Sequence, residues 1–175
     1  MSFRLRIVLV ITVLITILFG VGGAVLIHSS FQASLRKEEE TAVESNELVL
    51  RIVQYVEEGT DWFEEKELIS VIKNICTQDS IDCLRLISGE EAVYLYQKKE
   101  NLDVYLHEIT EIEENQVVVT YFTMESGEQY LQTTTQFRLH DKDYYLDMGR
   151  NLTTVYSVRE EQIDVFQKTF LVLSL

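Results

Sequence analysis

The side chains best suited to chemistry in this 175-residue chain are two cysteines, three histidines, nine tyrosines and a few arginines set among strand-like segments. Cys76 and Cys83 are the only thiols, separated by six residues across a loop. In an oxidising compartment they clasp Thr77 to Asp82 in a disulfide; otherwise they stand as two unpaired thiols. His28, His107 and His140 are scattered, and none stands at metal-ligand spacing from another, so no metal site is expected. The chain has no phosphate-cradling glycine loop, no GxSxG elbow and no HExxH. Asp141 and Asp143 flank Lys142 in what reads as a tight turn, where Asp bonds its own backbone. No catalytic residue and no cofactor is expected within these residues.

What remains is binding. Tyr94, Tyr96, Tyr105, Tyr121, Tyr130, Tyr144 and Tyr145 all fall where the sequence alternates like strand, and packing on a sheet is their plain explanation. The sharper expectation is a shallow pocket on the polar face of that sheet. There Tyr94, Tyr96, Tyr121, Tyr145, Thr134, Arg85 and Arg138 would fix a small ligand. With 29 Asp and Glu against 15 Lys and Arg, the formal charge is −14, which argues against a nucleic-acid partner. Scattered acidic residues read as a solvated face, although cationic partners fit them too.

The elements that must position these residues can be read from periodicity. From Ser29 to Glu58 no helix breaker appears and the composition is strongly helical. Leu35, Ala42, Val49 and Val56 recur every seven residues, a partial heptad. The later half of this helix is expected to pack on a sheet, and the membrane-proximal end to pair in parallel with a second copy, making a homodimer. Gly59 closes it, and Asp61 to Glu64 has capping-box spacing for a second helix with Leu68, Ile69, Ile72 and Ile75 on one face. The period then changes to two. Strands are expected at 81–87 and 92–96, joined by a hairpin, and at 117–124, 129–139 and 144–148. Residues 98–115 fit either a short strand near Val104 or a helix. Asn151 to Lys168 reads as a closing helix. The fold class is α+β.

Two apolar runs frame this domain. Residues 7–27 carry no charge and, at about 1.5 Å per residue, make a helix of about 31 Å, matching a hydrocarbon core of about 30 Å. The run outlasts the usual apolar region of a cleaved signal peptide, the competing reading, so an uncleaved transmembrane helix is expected. Arg4 and Arg6 place the tail 1–6 in the cytoplasm and the domain 28–168 outside it. Residues 169–175 begin a second apolar run, expected to be the start of a second transmembrane helix.

This order of elements resembles the extracytoplasmic PAS-like (PDC, or Cache-like) sensor domains of two-transmembrane bacterial sensor histidine kinases. The closing segment carries the resemblance: Asn151, Leu152, Thr153, Val155, Tyr156, Arg159 and Gln162 follow the family pattern D-[IL]-[ST]-x-[VI]-Y-x-x-R-x-x-Q, with Asn151 where Asp is common. Similar domains serve chemoreceptors and cyclases. The resemblance implies a five-stranded sheet with flanking helices, in a membrane-bound dimeric receptor that detects an extracytoplasmic ligand or partner protein. Its parent would use ATP and Mg in a kinase part that acts on a response regulator. A membrane-anchored binding or scaffold domain without kinase output is the alternative.

Overall fold

A computed structural model of the chain describes residues 3–59, 64–76, 81–89, 91–107, 112–139 and 141–173; side chains of 56–59, 75, 76 and 173 lie outside the description. The fold is α+β. Helix α1 (Phe3–Gly59) and helix α2 (Glu65–Cys76) precede strands β1 (Cys83–Ser88) and β2 (Glu91–Gln97). A single 3-10 turn, Leu102–Tyr105, stands where a short strand or helix was expected. Strands β3 (Val117–Thr123), β4 (Gln129–Leu139) and β5 (Lys142–Asn151) follow, and helix α3 (Thr153–Leu173) closes the chain. The capping box expected at Asp61 lies outside the described residues. At the observed start of α2, the Glu67 carboxylate accepts the Glu64 backbone N–H at 3.0 Å, the reach-back of a capping box three residues later.

The strands form one antiparallel sheet in the order β2-β1-β5-β4-β3. Its hairpins turn on residues that tolerate positive φ: Gly89 (φ 67), Gly127 (φ 86) and Asp141 (φ 60). Two compact units divide the chain, Lys37–Thr153 and the pair Met1–Arg36 with Thr154–Leu175.

Within Lys37–Thr153, strand alternation sorts side chains onto two faces. Leu84, Leu86, Phe137, Leu139, Tyr144, Leu146 and Met148 share the face covered by Val49, Leu50 and Val53 of α1 and by Leu68 and Ile72 of α2. Burial of these side chains is the main apolar stabilisation of the unit. The opposite face carries a smaller cluster in which Leu102 and Leu106 cover Cys83, Phe122 and Tyr130. Gly149 sits opposite Cys83 on this face. A Cβ there would stand 3.2 Å from the Cys83 Cβ, so a side chain would have to push Cys83 aside by a few tenths of an ångström.

The later half of α1 packs on the sheet, as expected. Val49 is fully buried and Ala42 nearly so within one chain, because the helix turns its apolar stripe to the sheet at 3.6-residue spacing. These positions are therefore not free to form a seam with a second copy. Leu35 is half-buried in the other unit, and the Val56 side chain lies outside the described residues.

In that other unit, α1 and α3 pair antiparallel. The Phe31 ring meets Tyr156 edge-on at 5.2 Å and lies 4.5 Å below the Arg159 guanidinium. Further along, Phe166 packs on Gly23 and Phe170 on Gly20, where the missing side chains leave room for the rings. By length and composition, α1 is the one helix among the described residues able to cross a membrane, a property an N-terminal signal sequence shares. Its apolar side chains over residues 7–27, such as Ile11, Leu14 and Leu18, are exposed. In the expected second apolar run, Leu171 and Val172 are exposed on the last described turn of α3.

Candidate functional site

The expected ligand set divides between the two faces. Directly opposed residues share a face, and the β1–β2 register pairs Leu84 with Tyr96 and Leu86 with Tyr94. Tyr94 and Tyr96 therefore pack on the helix-covered core, with Lys73 of α2 5.5 Å from the Tyr94 ring centre. Tyr121 stands opposite Leu131, also on the helix side, and its hydroxyl lies 3.4 Å from the Glu39 carboxylate of α1. Those three tyrosines are not part of a pocket on the polar face.

Arg85, Thr134, Tyr145 and Arg138 do share the opposite face. Arg138 belongs to its far margin, where its Nε donates to Asp143 at 2.9 Å in an exposed pair. It lies four residues along β4 from Thr134, about 13 Å away. Arg85 and Thr134 come together, through a residue that the sequence reading passed over. Asp147 of β5 is opposite Arg85 on one side and Thr134 on the other.

Asp147 is the hub of a buried polar network. Its Oδ2 accepts from Arg85 Nε at 2.9 Å, with Arg85 Nη2 2.8 Å away. Its Oδ1 accepts from the Thr134 hydroxyl at 2.6 Å and from the Gln132 amide at 3.1 Å. Gln132 in turn bonds the His107 backbone in both directions, its Nε2 donating to the carbonyl at 2.9 Å and its Oε1 accepting from the N–H at 2.8 Å. This pins the segment after the 3-10 turn onto the sheet. Gln132 and Thr134 are thus buried on the face whose alternation is polar.

The Arg85 Nη2 is itself buried, 2.8 Å from the same carboxylate. A guanidinium fixed on one side by this pair, on a side chain that keeps 13% exposure, carries a charge that suits acceptor groups on a ligand. Half-buried Ile87, Tyr145 and Gln136 form the next row of the same face. The network holds no nucleophile paired with a base, so its chemistry is recognition.

Cys83 is a free, fully buried thiol beside this network. Burial, reinforced by the charge of Asp103, pushes its pKa up to about 12. Its expected disulfide partner, Cys76, has its side chain outside the described residues. No group of three or more His, Cys, Asp or Glu able to hold a metal occurs among the described residues. His140 lies outside them, and His107 packs its ring edge-on against Phe122 at 6.2 Å.

The junction into α3 is a second organised place. Asn151 caps the helix, its Oδ1 accepting the Thr153 N–H at 2.6 Å, while its Nδ2 donates to the Tyr130 hydroxyl at 3.1 Å. Its own N–H donates to Asp82 at 2.8 Å, and Leu152, fully buried, donates its N–H to the Gln129 carbonyl at 2.7 Å. No protein-family model matches the chain, nor does any curated protein or solved structure.

Proposed function

We propose that this chain is the sensory input region of a bacterial two-component sensor histidine kinase. In this reading the sheet is a PAS-like extracytoplasmic domain and α1 crosses the membrane over residues 7–27. A stimulus is detected at the sheet and passed through the membrane by displacement of α1 and α3. The observation that carries the reading is the use made of the closing motif. Asn151 caps α3, Leu152 is buried under the sheet's end, and Tyr156 and Arg159 enclose Phe31 of α1. Motif residues that join the last strand to an exit helix, and that helix to the entry helix, suit a module whose output is movement.

The network around Asp147 is the proposed detection surface, with the partly exposed Arg85 side chain presenting its charge to an acceptor-bearing ligand. A homodimer, with α1 of each copy contributing a face other than its buried stripe, completes the proposal, as does a kinase part that uses ATP and Mg and serves a response regulator. The native reading frame past Leu175 tests it. A completed apolar run of about 20 residues, followed by a phosphoacceptor-histidine helix and an ATP-binding domain, is the expected result. A stop codon shortly after Leu175, or long coiled-coil heptads in place of an ATP-binding domain, overturns it.

A further inference from the structure

Helix α1 meets the sheet through two unlike stretches. Above Asn46 the contact is apolar, with Val49, Leu50 and Val53 in the main core. Between Lys37 and Ser45, Ala42 is the only buried side chain. Polar ties there include Glu38 to Arg150 at 3.0 Å and Glu39 to the Tyr121 hydroxyl at 3.4 Å.

Asn46 marks the border, and it is fully buried. Neither atom of its side-chain amide has a hydrogen-bond partner among the described residues. A second orphan lies on the helix-covered face of the sheet. Thr133 is also fully buried on the helix side, and its hydroxyl also lacks a partner among the described residues. A buried amide or hydroxyl without a partner is costly, and a core held only for stability has no use for one.

The helix just below Asn46 is also weakened in itself. Thr41 and Ser45 turn their hydroxyls back onto the Lys37 and Thr41 carbonyls at 2.8 Å each, a pattern that bends helices.

We propose that Asn46 is the pivot of a two-state joint, about which the stretch Lys37–Ser45 swings off the sheet and lets water reach Asn46 and Thr133. The closed state seen here gains the packing of Ala42 and the Glu38–Arg150 pair. The open state gains hydration of the amide and the hydroxyl. Two states that each satisfy what the other leaves wanting are near in free energy, as a switch requires. The role of the joint in signalling rests on the sensory reading above, but its existence does not.

The test uses the full chain in lipid vesicles with Cys76→Ser. Ala42→Cys places a thiol that is covered when the joint is closed, and its rate of maleimide labelling reads opening. Asn46→Leu removes the orphaned amide and should slow that labelling about tenfold. Asn46→Ala should slow it in the same direction. Val49→Cys, above the pivot, should stay unlabelled in every background. Unchanged Ala42→Cys labelling, or faster labelling with a lowered thermal midpoint, overturns the joint, because it means the amide is satisfied in the closed state. Failure of the downstream reading frame to encode a kinase would leave this result standing.

Discussion

Removing the Asp147 carboxylate should be the most damaging single change on the polar face, and the structure fixes the terms. Asp147→Ala strands three groups at once: the Arg85 guanidinium, the Thr134 hydroxyl and the Gln132 amide. Breaking a buried ion pair from one side costs about 3–5 kcal/mol. Because the Arg85 side chain keeps 13% of its exposure and can draw some water, the lower half of that range applies. Arg85→Met leaves Asp147 with two donors and should cost slightly less, about 2–3 kcal/mol. The double variant Arg85→Met/Asp147→Leu removes both charges and fills the space, so it should cost under about 2 kcal/mol. Singles that sum to far more than the double identify a coupled pair. Thermal unfolding of the detergent-solubilised chain, followed by near-ultraviolet tyrosine dichroism, reads the sheet directly, because seven of the nine tyrosines lie between Tyr94 and Tyr145. At about 3–5 °C per kcal/mol for a unit of this size, Asp147→Ala should lower the midpoint by about 10–20 °C. Additive single and double effects, or a loss of only a few degrees for Asp147→Ala, would refute the placement of Asp147 as the hub.

Two further outcomes concern the Cys83 thiol and the Phe31–Arg159 contact. The Cys83 thiol, its pKa pushed up to about 12 by burial, should resist alkylation of the folded chain at pH 8 and react only on unfolding. Its folded pKa lies above the ordinary thiol value of 9.0, so its contribution to stability is complete below about pH 9 and is lost as the pH rises toward 12. A Cys83→Ala chain should lack that alkaline decline in denaturation measured between pH 8 and 12. At the base of the helices, Phe31→Ala and Arg159→Ala should each destabilise the α1–α3 pair, with a coupling of about 0.5–1 kcal/mol in a double-mutant cycle read by thermal unfolding. Zero coupling would show the guanidinium and ring to be independent.

The fold was legible in the sequence because its strands alternate cleanly. The runs at 81–87, 92–96, 117–124, 129–139 and 144–148 correspond to the five observed strands, which differ by a few residues at their ends. The site was legible only in part. Arg85 stands as a charge between Leu84 and Leu86, and Thr134 falls on the polar side of the β4 alternation, and those signals singled them out. Asp147 is equally anomalous between Leu146 and Met148, but its meaning depends on register, which places it between Arg85 and Thr134. Register arises from long-range pairing and leaves no mark in local pattern. The same gap misassigned Tyr94, Tyr96 and Tyr121, whose face is decided by their partners Leu86, Leu84 and Leu131. The heptad in α1 was ambiguous for a different reason. Spacings of 3.5 and 3.6 residues diverge little over three turns, so a sheet-packing stripe and a coiled-coil seam look alike at Ala42 and Val49.

Strand β4 links the two polar places, and that link has a measurable consequence. Thr133 and Thr134 are neighbours on one strand, so alternation sends the first toward α1 and the second into the Asp147 network. One side is satisfied; the other carries an unpartnered hydroxyl. A change of occupancy or geometry at Asp147 that shifts β4 must also shift Thr133, since the strand is paired on both sides and moves as a piece. Thr134→Val keeps the shape of the side chain and removes its 2.6 Å bond to Asp147. It should cost about 1 kcal/mol of stability. If the two faces are coupled, it should also alter the labelling rate of Ala42→Cys by severalfold, on a residue it does not touch. Thr120→Val, on the neighbouring strand β3 and with a hydroxyl that has no partner among the described residues, is the matched control and should leave labelling unchanged. Equal labelling in both variants would mean that the network fixes the sheet and has no bearing on the helix, and detection would then have to be sought on α1 itself.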